Sequence, residues 1–198
     1  MSVPLGVLPH IGVLHSCTEF TQVFVLDSLF EPSPAIHATL LPVVRANQWA
    51  SYPQLIDACR AQLFSLAARS SVESPDPTLL AILGSHPRLG DKHVDSAQSS
   101  AEQANLQSER QHLVALNEAY EQTFPGLRYV VFVNGRSTPE IVEDMQARIA
   151  RRDYGSEVDA ALQAMCDIAK DRASKLRMVV DSALNMRATL NNEANGGH

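Results

Sequence analysis

The stretch LQAMCDIAKDRASKLRMV, residues 162–179, decides the fold class of this chain. Apolar side chains recur along it every three or four residues, which is the repeat of one face of an α-helix. Arg172 falls on that same face, where the pattern predicts a buried core. A buried guanidinium needs an anionic partner, because loss of the partner costs on the order of 3–5 kcal/mol. The sequence leaves two partners open, a protein carboxylate in a salt bridge or a ligand that carries a carboxylate.

Helical spacing also describes most of the remaining interior, so the sequence predicts an all-α fold, a single-domain helical bundle. Thr18 is placed to cap the first long helix, and Gly84 is placed to end a short one. Tyr129 to Val133 is the one run with the composition of a strand. Because no second run could pair with it, we expect an extended segment near residues 129–133. The expected helices cover residues 19–30, 33–45, 53–69, 78–83, 100–124, 138–151 and 157–190.

The composition is that of an ordinary globular domain. The chain has 198 residues, of which 45% are hydrophobic and 19% are charged. We expect an N-terminal tail at 1–16, a helical domain at 17–190 and a flexible C-terminal tail at 191–198. A net charge of −6 argues against a nucleic-acid partner, and no apolar run approaches the ~20 residues of a membrane helix. The sequence therefore predicts neither nucleic acid nor membrane as a partner.

No motif in the chain points to a metal or a phosphate-bearing cofactor. The 3 cysteines are odd in number and widely spaced, which predicts free thiols in a reducing compartment. The 7 histidines include no pair at the i,i+4 spacing that clamps a metal from one helix. Glycine-rich phosphate loops and the nucleophile elbow of a serine hydrolase are also missing, so a Ser/His hydrolase has no support. The sequence predicts a metal-free site built from single side chains.

Two further side chains are candidates for proton transfer. His86 precedes Pro87, which favours an extended backbone and fixes the direction of the imidazole. The alternative for His86 is a surface turn. Glu102 follows Ser99 at capping-box spacing, so its alternative role is to start the next helix. The two roles of Glu102 are compatible, because a helix start also attracts an anionic ligand.

Several motifs then resemble those of one known family, in the same order along the chain. The family signatures are H-P-D-L-G-x-K, S-x-x-E-Q, L-N-x-x-Y, F-G-F-P-F-V-x-x-V and I-A-x-x-R. The matching stretches here are Gly84 to Lys92, Ser99 to Gln103, Leu116 to Tyr120, Phe124 to Gly135, and Ile168-Ala169 with Arg172 and Leu176. On these motifs the chain resembles the 2-oxo-4-hydroxy-4-carboxy-5-ureidoimidazoline (OHCU) decarboxylases, the last enzymes in the oxidation of urate to (S)-allantoin.

The resemblance implies an all-helical carboxy-lyase, a homodimer without cofactor or metal, in the cytoplasm or the peroxisome, although no targeting signal is recognised. It implies that His86 is the catalytic acid and base, Glu102 its carboxylate partner and Arg172 the cation of the site. The implied substrate-binding residues are Pro87, Ser99, Gln103, Tyr129, Val130, Val131, Phe132 and Val133. The alternative is a non-catalytic helical binding or scaffold module, which the presence of all three charged residues disfavours.

The resemblance also bears on the partner of Arg172. We expect the guanidinium to face a wet pocket and to wait there for substrate, so that Arg172→Met would keep stability and lose turnover. Some positions depart from the family pattern. Arg88 stands where the family has Asp, the loop between His86 and Ser99 is shorter, and residues 125–129 replace the Gly-Phe-Pro-Phe element. These changes affect the backbone around the substrate more than the charged side chains, and they indicate a divergent member.

Overall fold

The computed structural model describes residues 8–71, 73–90 and 110–195, with the side chains of 110, 111 and 177–195 excepted. Within these ranges there are eight helices and no strand, so the prediction of an all-α fold is confirmed. The helices are α1 (Ile11–Leu14), α2 (Glu19–Leu29), α3 (Pro34–Ala46), α4 (Tyr52–Ala67), α5 (Pro77–Leu83), α6 (Arg110–Thr123), α7 (Thr138–Arg151) and α8 (Tyr154–Asn195).

The helix ends follow the local chemistry of the sequence to within a few residues. Thr18 caps α2, and its hydroxyl accepts a hydrogen bond from the N–H of Thr21 at 3.4 Å. Ser51 caps α4 in the same way and accepts from the N–H of Gln54 at 3.2 Å. Gly84 ends α5 as predicted, but its φ of −79° is right-handed, so this cap does not depend on glycine's access to positive φ.

Residues near both ends of the described chain form helices. Leu8, Ile11 and Leu14 are buried, and the Tyr52 hydroxyl donates to the carbonyl of Pro9 at 2.7 Å. Residues 8–14 therefore pack on the core, because their apolar side chains gain more there than in water. At the other end α8 continues to Asn195, beyond the predicted end at Leu190.

Helix α8 forms the centre of the domain and packs against α4, α2 and α5. Leu162, Met165 and Ala169 are buried on it, which confirms the apolar face that the sequence predicted. Helices α2 and α3 pack together, and the short connection between them carries Glu31 to Arg172 of α8. Cys17, Cys59 and Cys166 are free thiols, as predicted. Over the ranges that the structure describes, every helix is too short or too polar to cross a membrane.

Candidate active site

Arg172 lies on the core face of α8 and is only 2% exposed. Its Nη2 donates to Oε1 of Glu31 at 2.7 Å, and its Nη1 lies 3.5 Å from the carbonyl oxygen of Leu29. Glu31 is buried to the same degree. The expectation of a guanidinium that waits in a wet pocket is therefore wrong, because a protein carboxylate already answers its charge. Burial of both partners makes this a salt bridge whose rupture would leave a charge in the core.

Glu31 is held in an unusual backbone conformation. Its φ is +153°, a value that residues other than glycine rarely adopt. Such a conformation persists only where the surroundings determine it, and the bond to Arg172 is one of those surroundings. Glu31 was not predicted as a site residue, because a carboxylate just after a helix and just before Pro32 has the pattern of an ordinary helix end. The relevant signal in the sequence was Arg172 itself, a cation on a core face that requires an anionic partner.

His86 is buried, with 4% of its surface exposed, so the surface-turn alternative is wrong. Its backbone carbonyl accepts a hydrogen bond from Nη1 of Arg128 at 3.1 Å. The ring atom Nε2 has no hydrogen-bond partner among the described residues. A buried polar atom left in that state costs about 1–3 kcal/mol, which marks it as an atom available to a ligand.

Electrostatics couples His86 to Arg172. Burial first, and then the positive charge of Arg172, lower the pKa of His86 from 6.5 to about 3. The imidazole is consequently neutral at physiological pH. The structure thus brings His86, Arg172 and Glu31 into one buried region, whereas Glu102, Ser99 and Gln103 lie outside the described residues.

Residues 129–133 belong to no helix and pair with no strand of the part of the chain that the structure describes, in agreement with the predicted unpaired segment. Tyr129, Val130 and Val131 are buried. No backbone N–H between Val130 and Val133 donates to another described residue, while the Val130 carbonyl accepts from Nη1 of Arg148 at 3.4 Å. N–H groups that donate to no described residue can bind the oxygen atoms of a small molecule.

The family departures near His86 have partners of their own. Arg88 forms a two-pronged bond with the carboxylate of Glu121 on α6, at 2.6 and 2.5 Å. Arg128, within residues 125–129 that replace the family's Gly-Phe-Pro-Phe element, donates to the carbonyl of His86. Pro87, between His86 and Arg88, is half-buried. The changed residues therefore hold the chain at His86 and at Arg88, two residues further on. No group of three or more His, Cys, Asp or Glu within the described ranges could hold a metal ion.

Fold and site together define an all-α protein that buries a neutral imidazole beside a paired guanidinium. The model of the OHCU decarboxylase family matches residues 15–174, and the chain belongs to that family. Among solved structures the chain is similar to an (S)-allantoin synthase, with 18% identity and a TM-score of 0.55. The alignment covers 85% of this chain and 54% of that chain, so this chain spans about half the length of that protein. At this identity the likeness shows the fold. A comparison with curated proteins finds no match.

Proposed function

We propose that this protein is a cofactor-independent decarboxylase that converts OHCU to (S)-allantoin in urate degradation. The observation that carries the proposal is the buried, neutral His86 beside Arg172 in a chain of this family. A scaffold module that had lost its site would gain stability by replacing a buried imidazole whose Nε2 lacks a partner. Retention of this costly arrangement favours catalysis over a purely structural role.

The substrate carries a carboxylate and a hydroxyl on one ring carbon. When the bond to the carboxylate breaks, CO₂ leaves and its bonding electron pair moves into the adjacent imine–carbonyl system of the ring. The hydroxyl on that carbon then loses its proton and becomes the carbonyl of the product. A proton is added to the neighbouring ring carbon, which carries the ureido group, and the face on which it arrives sets the product as (S)-allantoin. The ring itself is the electron sink, so the protein's contribution is positioning and charge stabilisation.

Arg172 supplies the positive charge that stabilises the electron-rich ring as CO₂ leaves. The bond to Glu31 holds the guanidinium in one orientation, so little reorganisation is needed during the reaction. The N–H groups of Val130 to Val133 bind carbonyl oxygens of the ring or the ureido group, together with Pro87, Ser99 and Gln103. These contacts present one face of the ring to His86.

His86 transfers the proton. The approach of an anionic substrate raises the pKa of His86, because a negative charge favours the imidazolium and offsets the effect of Arg172. The imidazolium then donates its proton to the ureido-bearing carbon, next to the carbon that lost CO₂, and returns to the neutral form. Glu102 orients the ring in this proposal.

The first test is activity itself. OHCU is generated in situ from urate by oxidation and ring hydrolysis, and the optical activity of the allantoin is followed. We expect the protein to accelerate the appearance of (S)-allantoin, with no effect of EDTA. The matched control for variants of Arg172 is Lys170→Met, which removes a partly exposed cation of helix α8 that pairs with Asp57 at 2.6 Å. Racemic product at the spontaneous rate would contradict the proposal.

A second prediction separates the two roles of Glu102. Glu102→Gln keeps much of the capping-box hydrogen bonding, because glutamine can also accept from the cap N–H. We expect a normal melting temperature and a turnover number lower by about 10²-fold, the usual share of an acid–base group. Normal turnover together with normal stability would assign Glu102 to capping alone.

We further propose that the protein is a homodimer in the cytoplasm or the peroxisome. Analytical ultracentrifugation should give the mass of two chains. A fluorescent fusion should show diffuse or punctate peroxisomal signal in the cell.

A further inference from the structure

A buried carboxylate lies outside the site described so far. Glu157, near the start of α8, has 0% of its surface exposed. Its Oε1 accepts from Nη2 of Arg151 at 2.6 Å. Its Oε2 accepts from the hydroxyl of Tyr120 at 2.8 Å and lies 3.6 Å from Nη1 of Arg148. The charge of Glu157 is therefore answered by two arginines of α7.

Arg148 connects this carboxylate to the extended segment. Its Nε lies 3.1 Å from Oδ2 of Asp144, so the guanidinium is held between Asp144 and Glu157. The same guanidinium donates to the carbonyl of Val130 at 3.4 Å and has its central carbon 5.0 Å from the centre of the Tyr129 ring. Two of its contacts are thus with consecutive residues of segment 129–133.

Tyr129 gives the segment a second anchor. Its hydroxyl donates to the carboxylate of Asp144, and its ring meets that of Tyr120 edge to face at 5.5 Å. Burial and the neighbouring carboxylates raise the pKa of both tyrosines above their usual value, so both hydroxyls remain donors. Every anchor acts on a side chain or on a carbonyl of the segment, and none uses its N–H groups.

An extended segment without a strand partner has no ladder of hydrogen bonds to select one conformation, and ordering each residue costs about 1–2 kcal/mol. A buried ion cluster is itself a weak source of stability compared with apolar packing. Its effect here is geometric, because it determines which way the backbone of residues 129–133 faces.

We propose that Arg148 is a positioning residue, held by Glu157 and Asp144, that fixes the extended segment 129–133 so that its backbone N–H groups can bind the substrate. The role rests on the proposed function, and Arg148 acts through Val130 and Tyr129 without touching the substrate. The N–H groups bind the ring before and during decarboxylation alike. Loss of their positioning should therefore weaken binding more than it slows the chemical step.

The test compares Arg148→Lys with Arg151→Lys. Lysine at 148 keeps the charge but lacks the planar fork that reaches a carboxylate and the Val130 carbonyl together. We expect KM for OHCU to rise about tenfold with kcat changed by less than about threefold, the effect of losing one positioned hydrogen bond. Arg151 binds the same carboxylate and is half-exposed but has no described contact with the segment, so Arg151→Lys should leave KM unchanged. Equal rises in KM for the two variants, or none for Arg148→Lys, would overturn the positioning role.

A second readout does not depend on activity. Chymotrypsin cleaves after Tyr129 and Phe132, and we expect faster cleavage there in Arg148→Lys than in Arg151→Lys or the wild type. If Arg148→Lys does not fold, Tyr129→Phe takes its place, because it removes the bond to Asp144 and keeps the ring. KM and the cleavage rate should then rise as well, but by less than expected for Arg148→Lys. Equal cleavage in all variants overturns the proposal. An inactive wild type overturns the proposed function instead.

Discussion

Replacing Arg172 with methionine is expected to lower the free energy of unfolding by about 3–5 kcal/mol and to abolish decarboxylation. Methionine fills the space of the arginine stem but removes the guanidinium that binds Glu31, a carboxylate that is only 2% exposed. The carboxyl group must then stay buried as a charge or take up a proton. The sequence alone led to the opposite expectation, that Arg172→Met would keep its stability. The salt bridge to Glu31 could not be recognised from the sequence.

Chemical denaturation and allantoin formation on the same preparation test this result. Lys170→Met removes a cation two residues away on α8 whose partner Asp57 is exposed, and it should cost no more than about 1 kcal/mol. Glu31→Gln should destabilise the protein as well, because it removes the carboxylate that binds the buried guanidinium of Arg172 at 2.7 Å. An Arg172→Met variant no less stable than Lys170→Met would show that the ion pair contributes nothing to the fold.

The His86→Asn variant is expected to lose turnover by about 10²-fold or more, because asparagine cannot accept and return a proton. At neutral pH its stability should stay close to that of the wild type, since the ring atom Nε2 makes no hydrogen bond with the described residues. Stopped-flow measurement of single turnovers separates the chemical step from binding. Full activity of the variant would remove His86 from the mechanism.

The same variant should also change the acid side of the stability profile. Folding lowers the pKa of His86 from 6.5 to about 3, so between these values the unfolded chain binds a proton that the folded chain does not. Wild-type stability from this group is full above pH 6.5 and declines as the pH falls toward 3, by about 1.4 kcal/mol per unit. Between pH 7 and pH 5 the wild type should therefore lose about 2 kcal/mol more than His86→Asn. Parallel profiles for the two proteins would show that His86 is not buried as a neutral ring.

Much of the fold could be read from the sequence because helix formation is local. The 3.6-residue repeat, the cap at Thr18 and the stop after α5 depend on residues a few positions apart. The extended segment 129–133 was also predictable, because its composition is that of a strand and the sequence has no second run that could pair with it. The packing of residues 8–14 on the core was not, because a short apolar stretch is helical or loose depending on what it meets in space.

The candidate site divides along the same line. The core position of Arg172 and the constrained loop of His86 were predictable, since both follow from local patterns along the chain. The ion pair between Glu31 and Arg172, the burial of a neutral His86 and the bond from Arg148 to the Val130 carbonyl became visible only in three dimensions. The reason is that an ion pair depends on distance in space, and Arg172 meets Glu31 across 141 positions of sequence because the α2–α3 connection packs on α8.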